Sequence, residues 1–387
     1  MAGGTHIRQS SLSPAGDMPE WRVMRAATIF AEKKPGRKTV VVLPVHYPRE
    51  LFTAMDVHTV ELWGPPGPPR GPDAGRIQAY ACAVVRNALA FLASGGADDA
   101  DAALFPHTCD SIQGLATLAP DFGGWGKPAL RYLHPKGEDG PAARAFVRAE
   151  LAHLAGELAR LTGRPLAIPR LAEAIELHAR IDRLRGELLS RRAFLDRTDP
   201  ELYRLLRRGE YLGPGDHLAE LAVAARGLGE ERVQRGVPLM VTGYVPEPMT
   251  LFDALASAGA FVAADDYAAV GRRVPLAPPA DGGDPLDTLA AKAFSMPPCP
   301  TRGGDQDVRM EYLETLYRRS GAAGLIVHVQ KFCEPELFDV PAIRRRFARI
   351  GAPLLSLEGE MESSLSGQVI TRLEAFVEMV GAGRKPP

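Results

Sequence analysis

The sequence predicts an α/β protein: two Rossmann-like or flavodoxin-like parallel-sheet domains with an α-helical insert. Three observations carry this. Short β-branched runs alternate with helical segments in residues 38–140 and again in residues 237–387. Residues 141–236 lack such runs and are rich in Ala, Leu, Arg and Glu at helical spacing. Both alternating parts open with strand, Pro-containing turn, helix and strand, a weak internal symmetry. A length of 387 residues exceeds one ordinary core, which agrees with two domains plus an insert.

Residues 1–37 read as an N-terminal extension, polar and mobile over Met1–Asp17, with no apolar segment of a secretory signal. Thr39–Leu43 is a buried strand, and a helix follows Pro48, carrying Glu50, Leu51 and Met55. Thr59–Trp63 is a second strand, and Gly64–Pro69 a stiff connector. Gly75–Ser94 has helical periodicity with Cys82 in its first half. The run from Ala103 to Cys109 is a third strand, followed by a helix from Ser111; Ala129–Leu133 is a fourth. The insert holds three or four helices, with Pro165, Pro169 and Pro200 near the breaks. In the second domain, strands are expected at Pro238–Thr242, Ala260–Ala264, Leu325–Cys333 and Pro353–Leu357. Helices are expected at Thr250–Ala258, Pro341–Ile350 and Gln368–Val380.

A net charge of −1 points to neither a nucleic-acid nor a membrane-surface partner. No apolar run reaches the ~20 residues of a membrane helix, so the chain reads as cytoplasmic. Disulfides are rare there, and the four cysteines are expected to be free, catalytic or metal-bound. The chain has no G-x-x-x-x-G-K-S/T and no G-x-G-x-x-G segment for nucleotide phosphates.

Cys109 and Cys333 each end a strand-like run and precede an acid, Asp110 and Glu334. The carboxyl ends of strands are where open α/β sheets bind ligands. Four chemistries compete. Free cysteines are commonly small buried hydrophobes, which suits Cys82 in its apolar surroundings. A structural zinc site would show close pairs such as C-x2-C, and none is present. A catalytic thiol at Cys109 would need its base from elsewhere in the fold. Separated cysteines can also hold an iron–sulfur cluster.

The segments His107-Thr-Cys109-Asp110, Lys331-Phe-Cys333-Glu-Pro335 and Gly367-Gln-Val-Ile-Thr-Arg372-Leu-Glu-Ala-Phe376 resemble signature segments of the 2-hydroxyacyl-CoA dehydratase family. That family includes the B- and C-type subunits of ATP-dependent benzoyl-CoA reductase. Tyr80-Ala-Cys82-Ala-Val-Val-Arg86 and Pro48-Arg-Glu50-Leu51 with Ala54-Met-Asp are similar to its N-terminal segments. The resemblance covers residues 38–382 and implies a 4Fe–4S cluster held by Cys82, Cys109 and Cys333 between two α/β domains. It further implies a related cluster-bearing partner subunit, in a heterodimer or homodimer, and a separate iron–sulfur ATPase that delivers single electrons. The implied substrate is an acyl-CoA whose thioester carbonyl meets the open iron and becomes a ketyl radical anion. Two alternatives remain: an iron–sulfur subunit that only relays electrons or scaffolds, and a cluster-free α/β binding protein.

Other residues carry weaker expectations. The resemblance makes Glu50 a candidate acid, base or oxygen-positioning carboxylate, against simple service to the helix dipole. His46, on the same turn, reads as water-exposed. His107 shares a strand face with Cys109 and could bond a cluster sulfur or the substrate. Lys331 could offset cluster charge. Asp265-Asp266 reads as a turn or helix cap, with cation binding as the alternative, and Arg344-Arg-Arg346 as a solvated face. Two departures from the family stand out: Asp56 where it often has Gly, and the additional Cys299 in Pro297-Pro-Cys-Pro300.

Overall fold

The computed structural model describes residues 29–31, 33–63, 77–234, 236–278, 283–361 and 364–382. The polar tail over 1–17, the Pro/Gly connector and the expected helix start at Gly75 lie outside the described residues. The first sheet is built from β1 (Lys38–Val42), β2 (Val57–Glu61), β3 (Ala102–Pro106) and β4 (Ala129–Tyr132), all parallel, in the order β2-β1-β3-β4. Its connecting helices are α1 (Arg49–Ala54), α2 (Ala83–Ala93) and α3 (Asp110–Phe122). Four helices follow: α4 (Pro141–Thr162), α5 (Ile168–Ser190), α6 (Asp199–Arg207) and α7 (Pro214–Arg226). The second sheet repeats the first order, β6-β5-β7-β8, from β5 (Val237–Gly243), β6 (Ala260–Tyr267), β7 (Gly324–Gln330) and β8 (Leu354–Gly359). Its helices are α8 (Thr250–Ser257), α9 (Pro285–Phe294), α10 (Gln306–Ser320), α11 (Glu334–Arg349) and α12 (Gly367–Ala382).

Side chains alternate across a strand, so β1 feeds two cores. Val41 and Leu43 join the large core with α2, α3 and the second sheet. Val40 and Val42 join a smaller one with α1, α4, α5 and α9. Helix α9 thus belongs to the second half in sequence but covers the first sheet. The halves are also tied by Arg273, which donates to both oxygens of the buried Glu61 at 2.7 and 2.5 Å, beside Arg49 at 2.7 Å. Among the described residues no helix is long and apolar enough to cross a membrane.

Several element boundaries differ from the sequence expectation: β3 ends at Pro106 and β7 at Gln330, so Cys109 and Cys333 each lie three residues beyond a strand and not on it. Helix α2 starts at Ala83, because Cys82 is extended (φ −65, ψ 157) and serves as its N-cap. Helix α11 starts at Glu334, directly after Cys333; Pro335 occupies its first turn and Pro341 lies inside it. Strand β6 runs on through Asp265 and Asp266 to Tyr267. Asp56, in the position where the resembling family often has Gly, has φ 54, the left-handed conformation glycine adopts without penalty.

Candidate functional site

The carboxyl ends of the two sheets meet, and three cysteines stand there. Cys109 is the N-cap of α3, Cys333 of α11 and Cys82 of α2. All are free thiols. Burial pushes the Cys82 thiol up to about 12, and the neighbouring Cys109 pushes it further. Burial likewise raises Cys109, and it raises Cys333 well above its ordinary value, with Cys82, Glu336 and Cys109 adding to the effect. The three sulfurs therefore lie within reach of one another's charge. First-turn amides oppose the rise: Val84 and Val85 at Cys82, Ser111 and Ile112 at Cys109, Glu336 at Cys333. Each sulfur is thus a protonated thiol in a position where helix-end N–H groups favour a thiolate.

Backbone strain helps to aim Cys333. Phe332 has φ 64, a conformation rare for a bulky residue. Gly243, at the end of β5, allows a close approach to β7: a Cβ there would lie 2.1 Å from the His328 carbonyl oxygen. Tyr244 follows it, and its phenol is raised by burial and then by Cys109, Cys333, Cys82 and Cys299. Its hydroxyl donates to the Pro44 carbonyl at 3.2 Å, fixing the ring at the seam between the sheets.

Cys299 is placed differently. Its sulfur accepts from Arg272 Nη1 at 3.3 Å and contacts Thr301 Oγ1 at 3.1 Å. Among the described residues no group of three or more His, Cys, Asp or Glu side chains could hold a single metal ion. Cys82, Cys109 and Cys333 are instead the residues that could hold a wider, thiolate-bound cluster, since metal binding deprotonates a coordinating thiol. Lys136 adds positive charge near Cys109 and Cys299, and donates to the backbone carbonyls of Thr108 (3.3 Å) and Thr301.

A cavity of about 110 Å³ lies behind the loop Pro44–His46, lined there by Val45 and His46. Val45 N donates to Thr108 Oγ1 at 3.2 Å, joining this loop to the residue before Cys109. His46 is half-buried and faces the cavity, its Nε2 2.8 Å from Thr301 Oγ1, in contrast to the water-exposed turn expected of it. The packing of Thr301 against this loop shields it in part from solvent. Glu50 also lines the cavity, and Lys292 Nζ donates to it and to Asp182 at 2.6 Å each. Burial would raise the Glu50 carboxyl, but Lys292 and His178 outweigh it and bring it down to about 2. His178 is itself lowered to about 4, chiefly by burial.

His107 lies beyond the end of β3, so it does not share a strand face with Cys109. Its Nε2 is 3.6 Å from Asp110 Oδ1 and makes no hydrogen bond. Asp265 keeps part of the expected capping role, accepting from the amides of Gly271, which opens a 3-10 turn, and of Tyr267 at 3.0 and 3.3 Å, whereas Asp266 bonds side chains alone. They are buried strand residues, Asp265 paired with Arg192 at 2.9 Å and Asp266 with Arg272 and Arg309 at 3.0 and 2.5 Å. Lys331 is exposed over the Phe332 ring; Arg344 and Arg345 are solvated, while Arg346 pairs with Glu314 at 2.5 Å. The sequence reading missed Tyr244, Arg272, Lys292 and Arg302. A lone Lys in an otherwise apolar stretch of α9 was a usable signal for Lys292; the others depend on distant partners.

Comparison with known proteins adds a further observation. The model of a family described as 2-hydroxyglutaryl-CoA dehydratase, D-component, matches residues 44–380. The chain is 24% identical over 349 residues to the beta subunit of lactoyl-CoA dehydratase from Anaerotignum propionicum, covering 89% of this chain and 92% of that one. It is 23% identical over 358 residues to the beta subunit of (R)-2-hydroxyglutaryl-CoA dehydratase from Acidaminococcus fermentans, covering 89% and 93%. A benzoyl-CoA reductase subunit of Thauera aromatica is 24% identical over 353 residues, covering 86% and 88%.

Proposed function

Because the chain belongs to the 2-hydroxyglutaryl-CoA dehydratase D-component family, we propose that it is the iron–sulfur subunit of an enzyme that dehydrates or reduces an acyl-CoA thioester. In this reading Cys82, Cys109 and Cys333 hold a 4Fe–4S cluster. The observation that carries it is the convergence of these three thiols, Cys82 and Cys333 buried and Cys109 partly so, each capping a helix where the two sheets meet. When bound, the cluster would supply single electrons and an open iron for the thioester oxygen. The assembly is completed by a related partner subunit, and an iron–sulfur ATPase supplies the electrons in trans.

The chain's own residues do the rest. Amides at the helix N-termini favour the thiolates, and burial keeps water from them. Tyr244 holds the Pro44–His46 loop between the cysteines and the cavity. Glu50 is kept ionised by Lys292, so it serves as a hydrogen-bond acceptor that orients a substrate hydroxyl and not as a proton donor. His107 Nε2 is available to a cluster sulfur or a substrate oxygen.

The test is anaerobic purification with iron and sulfide analysis, then EPR after one-electron reduction. Iron and sulfide with a signal that disappears in Cys109→Ser and Cys333→Ser support the reading. Iron-free protein, with both variants indistinguishable from the parent, overturns it.

A further inference from the structure

Glu336 is a buried carboxylate beside one of the three thiols. Of the helices those thiols cap, α2 has no acid in its first turn. The first-turn acid of α3, Asp110, has a side chain 97% exposed. Helix α11 has two first-turn acids, Glu334 exposed and Glu336 only 4% exposed. Water and salt screen the exposed acids, whereas a buried charge acts far more strongly on its neighbours. Glu336 stands three residues after Cys333, a spacing that brings side chains about 5–6 Å apart on one helix face.

The carboxylate does not cap its own helix. In a capping box an acid at this position accepts from the N–H of the cap residue. The N–H of Cys333 donates instead to the Gln330 carbonyl at 2.9 Å. Arg272 takes the carboxylate with both terminal nitrogens, Nη1 on Oε1 at 2.5 Å and Nη2 on Oε2 at 3.1 Å. The same guanidinium donates to Asp266 from Nε and Nη2 at 3.1 and 3.0 Å, and to the Cys299 sulfur from Nη1 at 3.3 Å. A buried carboxylate is costly unless paired and hydrogen-bonded, and this fork supplies both. The amide of Glu336 faces the Cys333 sulfur, so holding the side chain also holds the turn that carries the thiol.

Resting on the iron–sulfur reading above, we propose that Arg272 positions Glu336 as a fixed negative charge beside Cys333, which lowers the reduction potential of a cluster held there. An added electron is opposed by a neighbouring carboxylate, so the bound cluster becomes a stronger one-electron donor. A unit charge within about 10 Å, at an effective dielectric constant of about 20, changes a one-electron equilibrium by about ten-fold. Ten-fold corresponds to about 59 mV.

An EPR-monitored redox titration of the anaerobically purified holoprotein at constant pH tests this, with iron and sulfide analysis of each sample. Glu336→Gln keeps the side-chain shape and an oxygen for Arg272. It is expected to hold iron and sulfide at the parent level and to raise the midpoint potential by about 59 mV. Glu334→Gln removes an exposed charge next to the same cysteine and is expected to change the equilibrium by less than about two-fold. Arg272→Lys disturbs the same contacts but keeps the charge, and its potential is expected to stay near that of the parent. An unchanged potential in iron-replete Glu336→Gln overturns the proposal and leaves the cluster reading intact. An equally large shift in Glu334→Gln or Arg272→Lys also overturns it, as does loss of iron from Glu336→Gln, which would mark the acid as structural. Iron-free parent protein overturns both readings. The two Gln variants decide between these outcomes if the Lys variant does not fold.

Discussion

The two halves share one strand order but spend their buried polar groups differently. In each, the third strand of the sheet hands over to a helix capped by a cysteine: β3 to Cys109 and β7 to Cys333. The helix before β3 is capped by Cys82, whereas the segment before α10 offers Cys299, whose sulfur is already bonded to Arg272 and Thr301. The second half also buries a network of Asp266, Arg272, Arg309, Glu336 and Asp339 beneath its sheet end. The first half buries a carboxylate at the comparable strand end too, Glu61 of β2, but one of its two cations, Arg273, comes from the second half. Repetition of a fold thus yields two matched thiols, while the third and fourth have diverged: Cys82 faces helix amides and Cys299 faces a guanidinium.

The sharpest way to break this comparison is to exchange the thiols. Cys333→Ser is expected to abolish iron binding, and Cys299→Ser to leave iron and sulfide content at the parent level. Loss of iron in the Cys299 variant would show that the fourth sulfur has not diverged at all.

The ion network is the next target. Asp266 is fully buried and accepts from Arg272, Arg309 and Thr242 Oγ1 (2.7 Å). Burial would raise its carboxyl, but the two guanidinium groups outweigh that and hold it below its ordinary value. Asp266→Asn leaves two buried cations short of an anion, and urea unfolding should lose about 3–5 kcal/mol. A loss below about 1 kcal/mol would mean that the network relaxes or admits water, and that the second half is no more dependent on buried charge than the first.

Lys292 tests the link between the halves, since α9 crosses from one to the other. With Glu50 held at about 2 against an ordinary 4.5, the pair stabilises the native state fully above the ordinary value and progressively less as pH falls towards 2. That shift corresponds to about 3 kcal/mol. In Lys292→Met the buried carboxyl loses its main cation, and burial then raises it. The variant should lose about 3 kcal/mol at neutral pH and recover part of it as Glu50 protonates on acidification, the reverse of the parent's behaviour. Thermal unfolding from pH 4 to 8 reads the sign directly.

Much of this organisation was legible locally. Thr39–Leu43 and Leu325–Gln330 are β-branched or apolar runs that only a doubly covered strand accommodates, and both are buried strands. Cys109 and Cys333 stood out because each follows such a run closely, although the strands themselves stop three residues earlier. Cys82 did not reveal its cap position, because Tyr80-Ala-Cys-Ala-Val-Val contains no Ser, Thr, Asp or Asn and reads as uninterrupted helix. Pro341 suggested a helix start that Pro335 actually provides. The charged partners were beyond local reach: Lys292 meets Glu50 across 242 positions and Arg273 meets Glu61 across 212. No periodicity encodes such contacts, and only the fold brings them together.

The smallest expected effect compares one junction in both halves. The chain leaves the helix after β1 through Asp56 (φ 54) and the helix after β5 through Gly259 (φ 81). Both conformations are left-handed, which costs a residue bearing a Cβ about 1–2 kcal/mol, less for Asp. A Cβ on Gly259 would meet nothing within 4 Å, so Gly259→Ala should show the backbone penalty alone, about 1–2 kcal/mol in denaturant unfolding. Asp56→Gly removes the strain but also removes a half-exposed ion pair with Arg37 at 3.1 Å, and it adds freedom to the unfolded chain. These terms nearly cancel, and the variant should lie within about 0.5 kcal/mol of the parent. A loss above about 1 kcal/mol for Asp56→Gly would mean that the carboxylate, through Arg37, holds the β2 junction in place and that the two junctions are built on different interactions.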